Sequence, residues 1–211
     1  MTDLHCHILP AIDDGAKNAK VSMELLRMQN DAGVTDIVCT PHFNPDSQNL
    51  EDFIDKRYRS ARYLADHVFR SELPVRLKFG AEVRISPTIL DLDFLPLCFQ
   101  KTKVMLLEMP RTLRPQWDTN VIYQLTLGGV IPLIERYPYV QKKPNIALDW
   151  IEAGAYLQVN ADSIVGDTIQ RNFVYRLIKH GMVHVIASDT HSPDKRPPQL
   201  TKAMRLITRK F

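Results

Sequence analysis

Short apolar runs alternate with longer amphipathic stretches along the whole chain. Runs of four to nine residues, rich in Val, Ile, Leu and Phe, predict strands that are covered on both faces of a sheet. The seven predicted strands comprise residues 2–5, 36–40, 75–83, 104–108, 130–134, 156–160 and 183–188.

The stretches between these runs have the periodicity of helices. In the first of them, Val21, Leu25 and Met28 share one face, and Gly33 ends the helix as a C-cap. The predicted helices comprise residues 19–33, 49–71, 117–128, 145–153, 167–180 and 198–209.

This alternation predicts an α/β fold in which helices cover a parallel sheet. Seven strands suit a closed or nearly closed β/α barrel better than an open sheet. No linker or internal repeat interrupts the 211 residues, so we expect a single domain over residues 1–211. In β/α barrels, reactive side chains lie at the C-terminal ends of the strands.

Imidazoles and carboxylates occupy those positions. Taken singly, a histidine such as His42 is more often structural or solvated, and the Ser-Asp-Thr-His run that starts at Ser188 also suits a helix cap. Their shared location at one end of a barrel favours a metal site instead. The candidate ligands, at five of the seven strand ends and in the first loop, are His5, His7, Asp14, His42, Glu82, Glu108, Asp189 and His191.

The chemistry of this set narrows the kind of metal site. Imidazoles and carboxylates without a thiolate cluster suit Zn, Mn or Fe in an open catalytic site. Eight ligands exceed what one ion needs, so we infer at least two ions, with room for a third. Ions held together at one barrel mouth lower the pKa of a shared water and bind phosphoryl oxygens.

Two arginines at the same end of the barrel suit a phosphate-containing substrate. Arg136 directly follows the fifth predicted strand and Arg196 follows the seventh, although either alone is also typical of a protein surface. A guanidinium fork binds phosphate through two parallel hydrogen bonds. The chain has neither the Cys-x5-Arg spacing of cysteine-nucleophile phosphatases nor a glycine-rich phosphate loop. We therefore expect hydrolysis by a metal-activated water, without a covalent enzyme intermediate.

Composition limits the class of protein without naming its function. Charged residues make up 24% of the chain and its net charge is +3, which is ordinary for a globular protein. The chain has no long apolar run and no basic-then-apolar leader, so we expect a cytoplasmic protein that does not insert into membranes. No basic stripe is interleaved with aromatics, so we expect no nucleic acid partner. The odd, scattered set Cys6, Cys39 and Cys98 indicates free thiols in the core.

As a set, these motifs resemble the PHP superfamily of metal-dependent polymerase and histidinol-phosphatase barrels. Within it, they are most similar to the protein-tyrosine phosphatases of bacterial capsule and exopolysaccharide operons. The matching stretches, in family order, are Asp3-Leu4-His5-Cys6-His7-Ile8-Leu9-Pro10, Asp13-Asp14-Gly15, Thr40-Pro41-His42, Gly80-Ala81-Glu82, Leu107-Glu108, Glu135-Arg136-Tyr137, Leu157-Gln158-Val159-Asn160-Ala161, and Ala187-Ser188-Asp189-Thr190-His191 with Arg196-Pro197-Pro198.

The resemblance implies a (β/α)7 distorted TIM-like barrel with three metal positions. It implies two or three divalent ions, manganese above all, with zinc, iron, cobalt or magnesium as alternatives. The implied substrate is phosphotyrosine in the tail of a bacterial tyrosine kinase that controls polysaccharide export. The implied assignments are His5, His7, Glu82 and Asp189 to the first ion, Glu82 and Glu108 to the second, Asp14, His42 and His191 to the third, and Arg136 and Arg196 to the phosphate.

One departure from the family pattern bears on the second ion. In the family, a histidine follows the fifth strand just before Glu-Arg-Tyr, whereas here Ile134 runs directly into Glu135. The second ion is then left with Glu82 and Glu108 only. A degraded enzyme that binds without turnover therefore stays open as an alternative function. Independently of this departure, the same chemistry could serve a small phosphomonoester such as histidinol phosphate.

Overall fold

The computed structural model of the chain describes residues 1–126 and 129–211. Within these residues, short strands alternate with helices, as the apolar pattern predicts. The strands are β1 (Thr2–Cys6), β2 (Asp36–Cys39), β3 (His42–Phe43), β4 (Arg76–Phe79), β5 (Glu82–Arg84), β6 (Met105–Glu108), β7 (Val130–Pro132), β8 (Gln158–Asn160) and β9 (Val185–Ala187). The helices are α1 (Ala19–Asp31), α2 (Leu50–Arg70), α3 (Asp118–Leu125), α4 (Pro138–Lys142), α5 (Asn145–Glu152), α6 (Ala161–Val165), α7 (Thr168–Lys179) and α8 (Leu200–Lys210).

The strands pair in parallel. Their orders are β1-β2-β4, β3-β5-β6-β7 and β8-β9. Single parallel bridges join Leu133 to Gln158 and Cys6 to Thr190, next to the ends of the three sheets. The predicted α/β class with parallel sheets is confirmed.

The second predicted strand ends at Cys39 and is followed by a short strand, β3, that the pattern did not predict, and the third predicted strand is divided into β4 and β5. Strand β2 stops before Thr40-Pro41, and β4 stops before Gly80-Ala81. Pro41 has no N–H to donate, and a Cβ on Gly80 would lie 2.8 Å from a ring atom of Phe99. The prediction of one continuous strand over residues 75–83 was therefore wrong in detail. Beyond the break, β3 and β5 pair again with His42 opposite Glu82, which sets two candidate ligands side by side.

The six predicted helices are present, with ends that differ by a few residues. The end of the predicted helix 117–128 falls on Leu127 and Gly128, which lie outside the described residues. The pattern missed α4, α6 and two 3-10 turns, Pro87–Asp91 and Leu95–Leu97. Each spans five residues or fewer, too short to repeat an apolar face.

Apolar side chains from strands and helices form two adjoining buried clusters, the larger around Phe43, Leu106 and Trp150. The three cysteines are free and buried, as predicted. Cys6 turns away from its flanking histidines and donates to the Val38 carbonyl at 3.3 Å. No helix in the described part of the chain has both the length and the apolar character needed to cross a membrane.

The loop after β1 folds back on His7 through a glycine. Ala16 N–H donates to the His7 carbonyl at 3.0 Å, and a Cβ on Gly15 would lie 2.1 Å from that same oxygen. Gly33 differs, because its φ is +82° and a Cβ there would meet nothing within 4 Å.

We therefore expect Gly15→Ala to lower the free energy of unfolding by about 2 kcal/mol or more, since the clash is with backbone. Gly33→Ala, the matched control, should cost only about 1 kcal/mol through its left-handed backbone. Urea unfolding of both variants measures this. Equal losses would contradict the close approach of Gly15 to His7.

Candidate metal centre

Two histidines at the end of β1 open the site. His5 and His7 alternate with Cys6, so both rings leave the same side of the chain. Their Nε2 atoms lie 3.0 Å apart, and both residues are buried. This is the arrangement that the His-x-His motif predicts.

Glu82 reaches these histidines from the start of β5. Its Oε2 lies 3.1 Å from Nε2 of His5 and 3.1 Å from Nε2 of His7. The same oxygen lies 3.2 Å from Nδ1 of His42. Glu82 begins β5, which follows β4 at the opposite edge of the β1-β2-β4 sheet. Its carboxylate nevertheless contacts His5 and His7 of the first strand end.

Asp189 closes the first group from the loop after β9. Its backbone has a φ of +54°, a left-handed conformation that Asp tolerates better than most residues. Its N–H donates to the His5 carbonyl at 2.9 Å. Its Oδ1 lies 3.3 Å from Nε2 of His5 and 3.5 Å from Nε2 of His7.

The candidate ligands form two groups in which all ligand atoms lie within 4.8 Å of one another. The first, called the inner cluster, is His5, His7, Glu82 and Asp189, all buried. The second, called the outer cluster, is His7, Asp14, His42 and His191. Asp14, at 68% exposure, brings its Oδ1 to 3.4 Å from His42 and 3.5 Å from His191.

Buried polar atoms without partners indicate that these clusters suit a cation. Among the described residues, Oδ1 of Asp189 and Nε2 of His191 are buried and have no hydrogen-bond partner. Leaving such atoms unpaired costs about 1–3 kcal/mol each. Both point into the clusters, and their nitrogen and oxygen donors match the preferences of Mn, Zn and Fe. The residues therefore fit a divalent metal.

The pKa shifts of three of these ligands also favour metal binding. Burial opposes ionisation of Glu82, but His5 and His7 hold its pKa well below the usual value. Burial also disfavours the charged form of Asp189, yet the same histidines keep its pKa lowered. Burial and the charge of His7 lower the pKa of His191 to about 3. Ionised carboxylates and a neutral imidazole are the forms that bind a metal.

Asp13 orients His7. Its Oδ2 lies 2.8 Å from Nδ1 of His7 and accepts the His42 N–H at 3.1 Å. Burial opposes protonation of His7, but hydrogen bonds to Asp13 and Glu82 outweigh it and raise the pKa of His7 to about 10. With Nδ1 committed to Asp13, His7 has one nitrogen, Nε2, left for a metal, and a metal bound there would displace the proton that this raised pKa places on the ring.

A second set of buried polar residues forms hydrogen bonds to the ligands of the inner cluster or to their chain neighbours. Gln158 Nε2 lies 2.8 Å from Nδ1 of His5, and Asn160 donates to Oδ2 of Asp189 at 2.6 Å. Buried Asp3 accepts from the Ser188 N–H at 2.9 Å and from its hydroxyl at 2.5 Å. The ligand motifs alone did not identify these roles. Strand alternation could have done so, because Gln158 and Asn160 share one face of β8.

Both predicted arginines reach the site. Arg136 and Arg196 each donate to Oδ2 of Asp189. Their side chains are 30% and 28% exposed, so they lie at the edge of the mouth rather than in open solvent. Two guanidinium groups that converge on one carboxylate oxygen can also converge on one phosphoryl group.

Glu108 belongs to neither cluster. Its carboxylate lies 3.4 Å from Nη2 of Arg111, and the Arg111 side chain is exposed. With Glu82, Arg136 and Tyr137, it lines a cavity of about 90 Å³ beside the inner cluster. The structure thus brings together seven of the eight candidate ligands and leaves Glu108 at the rim.

The segment after β7 is tightly packed. Ile134 N–H donates to the Gln158 carbonyl at 3.1 Å, and the next residue, Glu135, is fully buried. Glu135 accepts from Ser163 at 3.0 Å through Oε1. Its Oε2 has no partner among the described residues. Burial raises the pKa of Glu135 to about 7, against the opposing charge of Arg136.

The sequence matches a known family along its whole length. The family model described as "Capsular polysaccharide synthesis, CpsB/CapC" matches residues 1–211. The tyrosine-protein phosphatase YwqE of Bacillus subtilis (strain 168) is 30% identical over 219 aligned residues, which cover 100% of this chain and 85% of that protein. The tyrosine-protein phosphatase CpsB of Streptococcus agalactiae is 28% identical, over 100% of this chain and 91% of that protein.

Solved structures agree with the sequence comparison. A crystal structure from work on YwqE of Bacillus subtilis and CpsB of Streptococcus pneumoniae, described as "unique metal-dependent tyrosine phosphatases", matches with a TM-score of 0.92 and 26% identity. The match covers 100% of this chain and 87% of that one. A lactonase from Listeria monocytogenes shares the fold more distantly, with a TM-score of 0.56 at 11% identity.

The buried carboxyl of Glu135 makes the stability of the fold depend on pH. The folded state keeps a proton on Glu135 up to about pH 7, whereas the unfolded chain releases it near pH 4.5. The free energy of unfolding therefore falls as the pH rises from about 4.5 to about 7 and levels off above that. Glu135→Gln removes this titration and should raise the free energy of unfolding at pH 8 by up to about 3 kcal/mol.

Urea unfolding at pH 5 and pH 8 tests this effect, and the gain should be smaller at pH 5. Glu152→Gln, at an exposed position of α5, is the matched control and should give no gain at either pH. An equal gain at both pH values for Glu135→Gln would contradict the raised pKa.

Proposed function

Because the chain belongs to the CpsB/CapC family of capsular polysaccharide synthesis, we propose that it is a metal-dependent protein-tyrosine phosphatase. One observation carries the proposal. Two clusters of metal-type ligands adjoin two arginines that converge on Asp189 at a single mouth. That combination suits hydrolysis of a phosphomonoester, and the names of the relatives direct it to phosphotyrosine.

We assign the ligands to two ions. His7 belongs to both clusters, but its Nδ1 is bound to Asp13, so its Nε2 serves one ion. The inner ion takes the inner cluster, and the outer ion takes Asp14, His42 and His191. We expect manganese, with zinc, iron, cobalt or magnesium as alternatives. Glu108, paired with Arg111, stands outside both assignments.

Each group of residues has its own task in this mechanism. When bound, divalent cations supply Lewis-acid chemistry: they activate a water and neutralise phosphoryl charge. Arg136 and Arg196 orient the phosphoryl group through their guanidinium forks. Asp13 keeps the His7 ring in one orientation by holding Nδ1. The leaving phenolate has a pKa of about 10, so a protein general acid is unnecessary.

The strand arrangement supports a distorted (β/α)7 barrel as the scaffold. With β2–β3 and β4–β5 each taken as one interrupted strand, the bridges at Leu133–Gln158 and Cys6–Thr190 connect the three sheets in a ring. All the ligands then lie at the C-terminal ends of the strands, as in other β/α barrels.

The proposed substrate is the phosphorylated tyrosine tail of a bacterial tyrosine kinase. The family description ties these proteins to capsular polysaccharide synthesis, and the relatives carry the tyrosine phosphatase name. Single-domain organisation over residues 1–211 and a cytoplasmic location stay predictions.

With manganese, the purified protein should hydrolyse p-nitrophenyl phosphate and a phosphotyrosine peptide. Asp189→Ala should lower kcat/KM by about a hundred-fold or more, because it removes an inner ligand and the anchor of both arginines. His180→Ala, an exposed histidine after α7, is the control and should keep full activity. No rate above blank with Mn, Zn, Co or Fe would refute the enzyme proposal and favour binding without turnover.

The arginines can be tested separately from the metal. Arg136→Lys and Arg196→Lys keep the charge but lose the fork, so each should lower kcat/KM by about ten-fold or more with an unchanged metal content. Arg209→Lys, exposed near the end of α8, is the control. Unchanged kcat/KM in both variants would remove the arginines from the mechanism. A higher kcat/KM for histidinol phosphate than for the peptide would favour the small-substrate alternative.

A further inference from the structure

A groove runs from the metal centre along the ends of β3, β5 and β6. It has a volume of about 480 Å³. His42 connects it to the outer cluster, while Glu108 and Arg111 connect it to the cavity beside Glu82 and Arg136. The groove is therefore continuous with the place where the phosphoryl group is proposed to bind. Its lining includes His42, Asn44, Gln48, Arg84, Glu108 and Arg111.

Two arginines give the groove a positive balance. Arg84 and Arg111 both line it, against one lining carboxylate, that of Glu108. The carboxylate of Asp46, near Arg84, does not line the groove and accepts hydrogen bonds from Ser86 and Thr88. Arg111 is 72% exposed and meets Glu108 through one terminal nitrogen, and the rest of its guanidinium makes no hydrogen bond to the described residues. Arg84 is exposed and makes no salt bridge within 4.0 Å in the described part of the chain.

The opposite wall of the groove is held in place by its own hydrogen bonds. Asn44 N–H donates to Gln48 at 2.6 Å. Asp46 accepts from Ser86 at 2.5 Å and from Thr88 at 2.8 Å, which ties the loop to the segment after β5. These hydrogen bonds, with a further share from Arg84, lower the pKa of Asp46. A wall fixed in this way binds a ligand with little loss of conformational entropy.

We propose that this groove binds the peptide that flanks the phosphotyrosine, and that Arg84 and Arg111 pair with an acidic side chain of that peptide. The inference rests on the proposed phosphatase function and gives its substrate a chemistry: a phosphotyrosine with a neighbouring Asp or Glu. A shallow groove with polar walls suits an extended peptide, and its charge favours an anionic one.

Matched peptides test the proposal. One carries Glu on both sides of the phosphotyrosine, and its partner carries the isosteric Gln. The wild-type enzyme should prefer the Glu peptide in kcat/KM by about five-fold, as exposed ion pairs allow. The preference should shrink as salt is added, because such pairs are screened.

The double variant Arg84→Ala/Arg111→Ala should bring the ratio of kcat/KM for the two peptides close to one. Arg84→Glu/Arg111→Glu should invert it in favour of Gln. Arg205→Ala, exposed on α8, is the matched control and should keep the wild-type ratio. Circular dichroism shows whether each variant is folded, and the ratio itself does not depend on the fraction of active enzyme.

The outcomes separate the two proposals. A wild-type enzyme that hydrolyses neither peptide refutes the phosphatase function. Equal rates on both peptides, or a preference that persists in the double variant, refute the groove. A preference confined to a peptide with a second phosphotyrosine would replace the carboxylate partner with a phosphate and overturn the proposal.

Discussion

The contact between two buried carboxylates and one pair of imidazoles is the interaction on which this structure depends. Glu82 and Asp189 both approach Nε2 of His5 and Nε2 of His7 within 3.5 Å. Like charges brought together away from water repel, so the arrangement requires positive charge nearby. The protein supplies part of it through Arg136 and Arg196. Oδ1 of Asp189 and Nε2 of His191, which have no hydrogen-bond partner among the described residues, are atoms that a divalent cation would bind.

The scaffold explains how residues so far apart in sequence reach one point. The ligands lie in short parallel strands or in the segments directly after them, and the parallel arrangement brings these parts of the chain together. Near the ligands, the backbone departs from regular strand geometry at three positions. Pro41 and Gly80 interrupt two strands, and Asp189 adopts a left-handed backbone. Such local departures concentrate at functional sites because the surrounding fold compensates for them.

Apolar periodicity and motif spacing predicted the strand–helix alternation and the identity of most ligands. They could not predict that Glu108 would pair with Arg111 instead of joining a cluster, because this depends on side-chain geometry beyond the strand end. The role of Asp13 was also hidden, since a contact between loop and ring leaves no periodic signal. One-turn helices such as α4 were missed for the same lack of repetition.

The exposure of the residues around the site increases with their distance from the metal ligands. The inner cluster is buried and fixed by Asp3, Gln158 and Asn160, the arginines stand at the edge, and the Arg84–Arg111 groove opens to solvent. Chemistry at the centre is thereby separated from recognition of the surrounding peptide. Both regions carry positive charge, which favours the phosphorylated and acidic substrate that we propose.

Anomalous diffraction from crystals of the protein loaded with manganese tests the two-ion assignment most directly. The assignment predicts two peaks per chain. One should lie among His5, His7, Glu82 and Asp189, and the other among Asp14, His42 and His191, each about 2.0–2.2 Å from its ligand atoms. An empty inner cluster, or an ion held by Glu108 in place of one of these two, would contradict it.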